Sequence, residues 1–258
     1  MRIYRVLDEK SQVTYVAETA EGTFRRITGD IFDDYSVTEV LVEPRKILPP
    51  VSPPTIFAVA GNYRSHIEEV HAAVPDAPVF FAKSITSVVA PAEPIRLPAV
   101  APDNVDYEAE LAVVIGQTCR DVPADRAYDV ILGYTVANDV SARDWQKRLS
   151  QWVRPKSFDT FCPLGPCIVT DIDPTNLRLQ AILNGQVMQD ASTSEMIFPI
   201  PQLVEFISAD LTLLAGTVIL TGTPAGVGEA RSPKVYLKNG DVITCSVEGI
   251  GELTNPVE

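Results

Sequence analysis

Nearly every apolar run in this chain is too short for a long helix. Val79–Ala82, Leu111–Ile115, Val130–Ala137, Cys167–Thr170, Leu177–Leu183, Thr217–Thr221 and Val242–Val247 are strand-length and rich in Val and Ile, residues that suit a pleated, half-buried surface. Asn184-Gly185 between Leu177–Leu183 and Gln186-Val187-Met188 is a two-residue hairpin signal, because both positions tolerate the positive φ of a type I′ turn. Helical readings are fewer: Tyr63–Ala73 after Gly61-Asn62, then Ala124–Asp129, Val140–Arg148 and Pro201–Ala209. Arg2–Val6, Thr14–Val16 and Gly22–Ile27 read as short strands, and the proline-rich stretch 48–54 breaks regular structure before a strand at Thr55–Ala60. The expectation is a β-rich α+β chain, with a small N-terminal β module over residues 1–50 and a main domain over 55–258.

The formal charge of −13 argues against nucleic acid and against anionic membranes as partners. Met1–Lys10 has no apolar signal core and no run reaches transmembrane length, so the default setting is the cytoplasm. An acidic protein that handles an anion needs a local basic pocket, which makes clustered Arg and Lys informative. Cys119, Cys162, Cys167 and Cys245 lack redox or zinc spacing and read as reduced, mostly buried thiols.

Val105–Ile115 carries Glu108 and Glu110 at the mouth of an apolar strand. Alternation points both carboxylates to one face, where repulsion and desolvation favour a divalent cation between them. An oxygen-only donor set suits Mg2+ or Mn2+. An isolated Glu-x-Glu is also compatible with two solvated glutamates at a strand end. Asp139, at a strand-to-helix junction, could aim a third carboxylate at the same place or simply cap the following helix. His66 precedes Glu69 by three residues on the proposed helix, so the carboxylate can orient the imidazole as a general base; solvated residues on a polar helix give the same pattern. Gly61 and Pro75 delimit this segment as a hinged lid. Arg143, Lys156 and Lys83 can each bind a substrate carboxylate or stabilise an enolate oxygen, or form ordinary exposed salt bridges. Thr221–Gly228 has glycines for close backbone approach and hydroxyls on Thr221 and Thr223, but not the lysine of a phosphate loop.

Six segments occur in order: Gly61-Asn62-Tyr63 with His66 and Glu69, Tyr107–Gly116, Asn138–Gln146, Lys156–Pro166, Leu183-Asn184-Gly185 and Thr221–Gly228. Over roughly residues 55 to 257 the chain thereby resembles the fumarylacetoacetate hydrolase family. Ser157–Pro166 is most similar to the domain-containing-protein-2 branch, to which oxaloacetate tautomerase activity is assigned. The resemblance implies a mixed β-sandwich roll, a homodimer, and a Mg2+ or Mn2+ site held by Glu108, Glu110 and Asp139. It further implies His66 and Glu69 as the lid dyad that orders a water, and Arg143, Gln146, Lys156 and Thr223 as the residues holding a 2-oxo acid. Such an acid can chelate the cation through a carboxylate oxygen and its keto oxygen, which makes an enolate accessible. Proton transfer then gives tautomerisation, loss of a β-carboxylate gives decarboxylation, and water attack on a β-acyl group gives C–C hydrolysis. The expected activity is oxaloacetate tautomerase or decarboxylase, with acylpyruvate or fumarylpyruvate hydrolysis, 2-hydroxyhepta-2,4-diene-1,7-dioate isomerisation or a silent metal-binding scaffold as alternatives.

Overall fold

A computed structural model describes residues 1–258. The chain opens with a meander, β1 (Arg2–Leu7), β2 (Val13–Glu18), β3 (Phe24–Gly29) and β4 (Tyr35–Leu41), and β5 (Lys46–Ile47) pairs back onto β1. After the proline-rich stretch come β6 (Ile56–Ala60), α1 (Arg64–Glu69), β7 (Val79–Lys83), β8 (Val88–Val89), β9 (Val105–Asp106) and β10 (Ala109–Ile115). Next are β11 (Ile131–Asn138), β12 (Ser141–Ala142), α2 (Arg143–Arg148) and β13 (Cys162–Val169). The remainder is β14 (Arg178–Leu183), β15 (Gln186–Ser192), α3 (Ile200–Ser208), β16 (Val218–Leu220), β17 (Val242–Val247) and β18 (Gly251–Pro256).

The large sheet runs β4-β3-β2-β1-β13-β11-β10-β16-β6-β7. Its ladders are antiparallel except β16 on β6 and the short β8 on β13, so the sheet is mixed. β1 pairs with β13, which makes the first 50 residues a hydrogen-bonded extension of the main sheet. The sheet also curls, since Phe32, between β3 and β4, lies against Gly216 and Pro54 beside β16 and β6. A second sheet, β15-β14-β17-β18, packs on β10, β11 and β13.

β10 shows why this stacking suits the sequence. Leu111, Val113 and Ile115 join the core shared with Leu179, Ala181, Ile243 and Cys245 of the small sheet, whereas Ala112 and Val114 face the opposite core with Ala58, Ala137 and Leu220. A strand covered on both faces needs a continuous apolar run, and all seven residues of β10 are buried. α3 buries Leu203, Val204 and Ile207, one face of the helix, against the 3₁₀ segment Ala124–Val130.

The architecture is the expected β-rich α+β fold with few helices, and several local expectations shift. Asn184 (φ 50°) and Gly185 (φ 80°) do form the tight turn between β14 and β15. The Tyr63–Ala73 helix shrinks to the six residues of α1, and His71 beyond it takes a positive φ. Ala124–Val130 is 3₁₀ rather than α-helical. β12 occupies the first turn expected of the Val140–Arg148 helix. β13 starts five residues earlier than its apolar run; Pro163 and Pro166 disguise it, and the β11–β13 register shifts where Pro166 cannot donate to the ladder. No helix is long and apolar enough to cross a membrane. All four cysteines are free, and burial pushes the Cys162 thiol up to about 12.

Candidate active site and metal centre

The site lies where β10 begins and β11 ends. Antiparallel pairing sets Ala109 opposite Asn138 and Glu110 opposite Ala137. Just beyond that ladder the Asn138 side chain accepts a hydrogen bond from the Glu108 amide (3.0 Å), and the Asp139 amide donates to the Glu108 carbonyl (2.9 Å). Glu108, Glu110 and Asp139 are thereby brought together, all buried, with carboxylate oxygens within 4.8 Å of one another. Asp139 does not cap the next helix, because Ala142 is the residue preceding α2.

Three cations sit among these carboxylates. Lys156 Nζ lies 2.7 Å from both Glu108 Oε2 and Asp139 Oδ2. Lys83 pairs with the other Asp139 oxygen and donates to the Lys156 carbonyl, which fixes the loop carrying Lys156. Arg143 Nη2 is 2.7 Å from Glu108 Oε1, an ion pair whose angle falls short of a hydrogen bond. Arg143 therefore meets Glu108 from the very start of α2. Burial alone would raise the Glu108 pKa, but Lys156 and Arg143 overcome it and hold the carboxyl at about 2. Burial likewise opposes the charge on Lys156, and Asp139 with Glu108 outweighs it.

Glu110 is different. No cation pairs with it; its Oε2 accepts only the Gly222 amide, at 2.6 Å. Burial and the nearby Asp139 and Glu108 raise its pKa well above the ordinary carboxylate range. A buried carboxylate crowded by two others, with oxygen donors only, fits a hard divalent cation, and Glu108, Glu110 and Asp139 are the residues that can hold one.

These groups open into a cavity of about 260 Å³, lined also by His66, Arg143, Gln146, Lys156 and Thr223. His66 Nδ1 lies 2.8 Å from Glu69 Oε1. A carboxylate accepts, so this contact assigns a proton to Nδ1 and leaves Nε2 as the ring nitrogen that Glu69 does not hold. The other Glu69 oxygen accepts the Gly226 amide (2.8 Å), and Ser65 Oγ accepts that of Ala225 (3.4 Å). The segment expected as a lid therefore rests on the Thr221–Gly228 loop and walls the cavity with Ile67, Val70, Ala72, Ala73 and Pro75. Thr223 Oγ1 donates to the Ala109 carbonyl (2.9 Å) and accepts from Gln189 (2.8 Å), which leaves it one lone pair for a ligand. Lys83 is not on the cavity wall; it buttresses Asp139.

Sequence reasoning missed Asp106 and the apolar wall of Val79, Phe81 and Trp152. Asp106 was legible, since it continues the alternation of Glu108 and Glu110 by one more step. The wall was not, because Trp152 reaches Phe81 (ring centroids 5.6 Å apart) from a loop with no periodicity.

A curled mixed sheet whose strand ends gather buried carboxylates, lysines and a histidine paired with a glutamate under a short helical cover makes a candidate active site on a β-rich α+β fold. The profile of the fumarylacetoacetate hydrolase C-terminal domain matches residues 55–258, and the chain belongs to that family. A Mycobacterium tuberculosis protein is 51% identical over 215 residues, covering 82% of this chain and 78% of that one. The mitochondrial oxaloacetate tautomerase fahd2 of Xenopus laevis is 45% identical over 216 residues, covering 82% and 67%. The crystal structure of a 5-carboxymethyl-2-hydroxymuconate delta-isomerase from Mycobacterium smegmatis superposes with a TM-score of 0.90 at 44% identity, covering 100% of this chain and 99% of that one. Family members are thus named as tautomerases and isomerases as well as hydrolases.

Proposed function

We propose that this chain is a Mg2+- or Mn2+-dependent enzyme that takes a small 2-oxo acid through an enolate, with oxaloacetate keto–enol tautomerisation or decarboxylation as its reaction. The observation that carries the reading is the buried Glu108–Glu110–Asp139 cluster at the floor of a cavity that also presents Lys156, Arg143 and His66. A bound divalent cation supplies Lewis acidity toward the keto oxygen. Lys156 and Arg143 compensate the negative charge of the substrate and of its enolate. His66, held by Glu69, takes a proton from the carbon next to the carbonyl through Nε2 and delivers it to the enolate oxygen to give the enol; the reverse transfer, from oxygen to carbon, gives the keto form. The covering segment excludes water, which favours proton return over hydrolysis. Gln146 and Thr223 complete the polar part of the pocket. A homodimer in the cytoplasm is part of the proposal and rests on the family resemblance and on composition.

A second reading, acylpyruvate hydrolysis, is favoured by the apolar half of the cavity. Ile67, Val79, Phe81 and Trp152 line the same cavity, an apolar surface that suits an uncharged acyl group better than a second carboxylate. In that case His66 activates water. Turnover of oxaloacetate and of acetylpyruvate, with Mg2+ or Mn2+ and after EDTA, tests both. Oxaloacetate turnover abolished by EDTA supports the first reading, cleavage of acetylpyruvate alone supports the second, and no metal-dependent turnover of either overturns both.

A further inference from the structure

We propose that Asp106 is a positioning residue that aims Arg143 at the substrate carboxylate, a role that rests on the function proposed above. Asp106 is fully buried, and Arg143 is the only charged side chain it touches. Its Oδ1 accepts the amides of Tyr107 (2.9 Å) and Gly228 (2.8 Å), and its Oδ2 accepts the Glu229 amide (2.9 Å) and Arg143 Nε (2.8 Å). Both oxygens are saturated, so the carboxylate has no freedom to turn toward the cavity.

Arg143 is fixed from the opposite direction as well. Nε is held by Asp106 and Nη1 by Gln146 Oε1 at 3.0 Å. Two anchored nitrogens set the plane of the guanidinium. Nη2 is left buried without an aligned hydrogen-bond partner, although Glu108 lies beside it. A guanidinium carries five N–H groups; Asp106 and Gln146 take two and Glu108 neighbours a third, so Arg143 can still donate to an anion entering the cavity that it lines.

The loop that supplies two of the amides is shaped for this purpose. A side-chain methyl at Gly228 would collide with the Val235 carbonyl and come within 2.7 Å of Asp106 Oδ1. The next residue, Glu229, turns outward and binds Lys147 of α2 (2.6 Å), together with Lys234 and Tyr236. Loop and helix are therefore clasped twice, by Asp106 inside and by Glu229 outside.

Asp106→Asn keeps the shape, and its amide oxygen still serves Tyr107 and Gly228. Its NH2 group then faces Arg143 Nε and the Glu229 amide, donor against donor. Oxalate serves as the probe, with Mg2+ present and calorimetry as the readout. Loss of one charge-assisted contact should weaken oxalate binding on the order of 10- to 100-fold. In turnover, KM should rise far more than kcat falls. In an Arg143→Ala background, Asp106→Asn should have no further effect. Glu229→Gln loosens the outer clasp only and should change the oxalate Kd by less than about twofold; an effect as large as that of Asp106→Asn would make the inner contact mere loop packing and overturn the proposal. A fold-independent arm uses guanidinium ion as a replacement side chain. It should restore oxalate binding to Arg143→Ala but not to Asp106→Asn/Arg143→Ala, a double variant that leaves no unpaired buried charge. Equal rescue in both would also overturn the proposal. Wild-type protein that binds oxalate normally while Asp106→Asn matches it refutes the role of Asp106 alone; wild-type protein that binds no oxalate refutes the proposed function and this role with it.

Discussion

Replacing Lys156 with methionine removes the ammonium that bridges Glu108 and Asp139 at 2.7 Å while nearly conserving side-chain volume. Breaking a buried ion pair from one side costs roughly 3–5 kcal/mol, because the stranded charge stays desolvated. Here each carboxylate keeps another cation, Arg143 on Glu108 and Lys83 on Asp139. The cost should thus fall near the lower end, about 3 kcal/mol. For a chain of this size that corresponds to a fall in Tm of roughly 6–12 °C in EDTA. Saturating Mg2+ restores positive charge among the same carboxylates, so it should raise the Tm of Lys156→Met more than that of the wild type. Each tenfold gain in metal affinity adds about 1.4 kcal/mol to that recovery. Differential scanning fluorimetry of both proteins, with EDTA and across a Mg2+ titration, measures the two effects. Equal Tm values in EDTA would refute the charge argument, and a deficit untouched by Mg2+ would refute the placement of the cation.

Glu110, whose pKa burial and its carboxylate neighbours raise, holds its proton to higher pH in the folded metal-free chain than in the unfolded chain, where the ordinary value is 4.5. Metal-free stability must therefore fall as pH rises from 4.5 through the raised value; Glu110→Gln should abolish that fall and the Mg2+-induced rise in Tm, both read from melting curves against pH. His66→Ala should lower turnover by ~10²–10⁴, the usual scale for a general acid–base group, while the Mg2+-induced rise in Tm persists; full retained turnover on every substrate of the wild type would exclude the base. Deleting residues 1–50 strips β1 from β13 and leaves the latter an exposed edge, so the shortened chain should be insoluble or aggregate on size-exclusion chromatography, and a monodisperse, active product would show that the meander is dispensable.

Much of this was legible in local pattern. β10 and β17 show in their apolar runs, the β14–β15 turn in Asn184-Gly185, and the carboxylate cluster in the alternation of Glu108 and Glu110. β18 was not, because Gly-Glu-Leu-Thr-Asn-Pro alternates burial through Leu253 and Asn255, and a buried asparagine that donates to the Ala90 and Glu93 carbonyls carries no apolar signal. α1 was overestimated for the opposite reason: Val70, His71, Ala72 and Ala73 hold no helix breaker, yet the helix ends at Glu69 and His71 takes a positive φ. The convergence of Lys83, Arg143 and Lys156 on two carboxylates depends on contacts from 17 to 56 residues apart along the chain, which no spacing rule encodes.

The two oxygens of the Glu69 carboxylate serve different partners. One oxygen orients the imidazole, and the other grips the Gly226 amide across the cavity mouth. Swinging the helical segment outward releases that amide, and the glutamate is then free to change rotamer and abandon His66. On the mechanism proposed above, Glu69 would thus couple closure to chemistry: with the Gly226 contact broken, the imidazole would lose the fixed carboxylate that orients it.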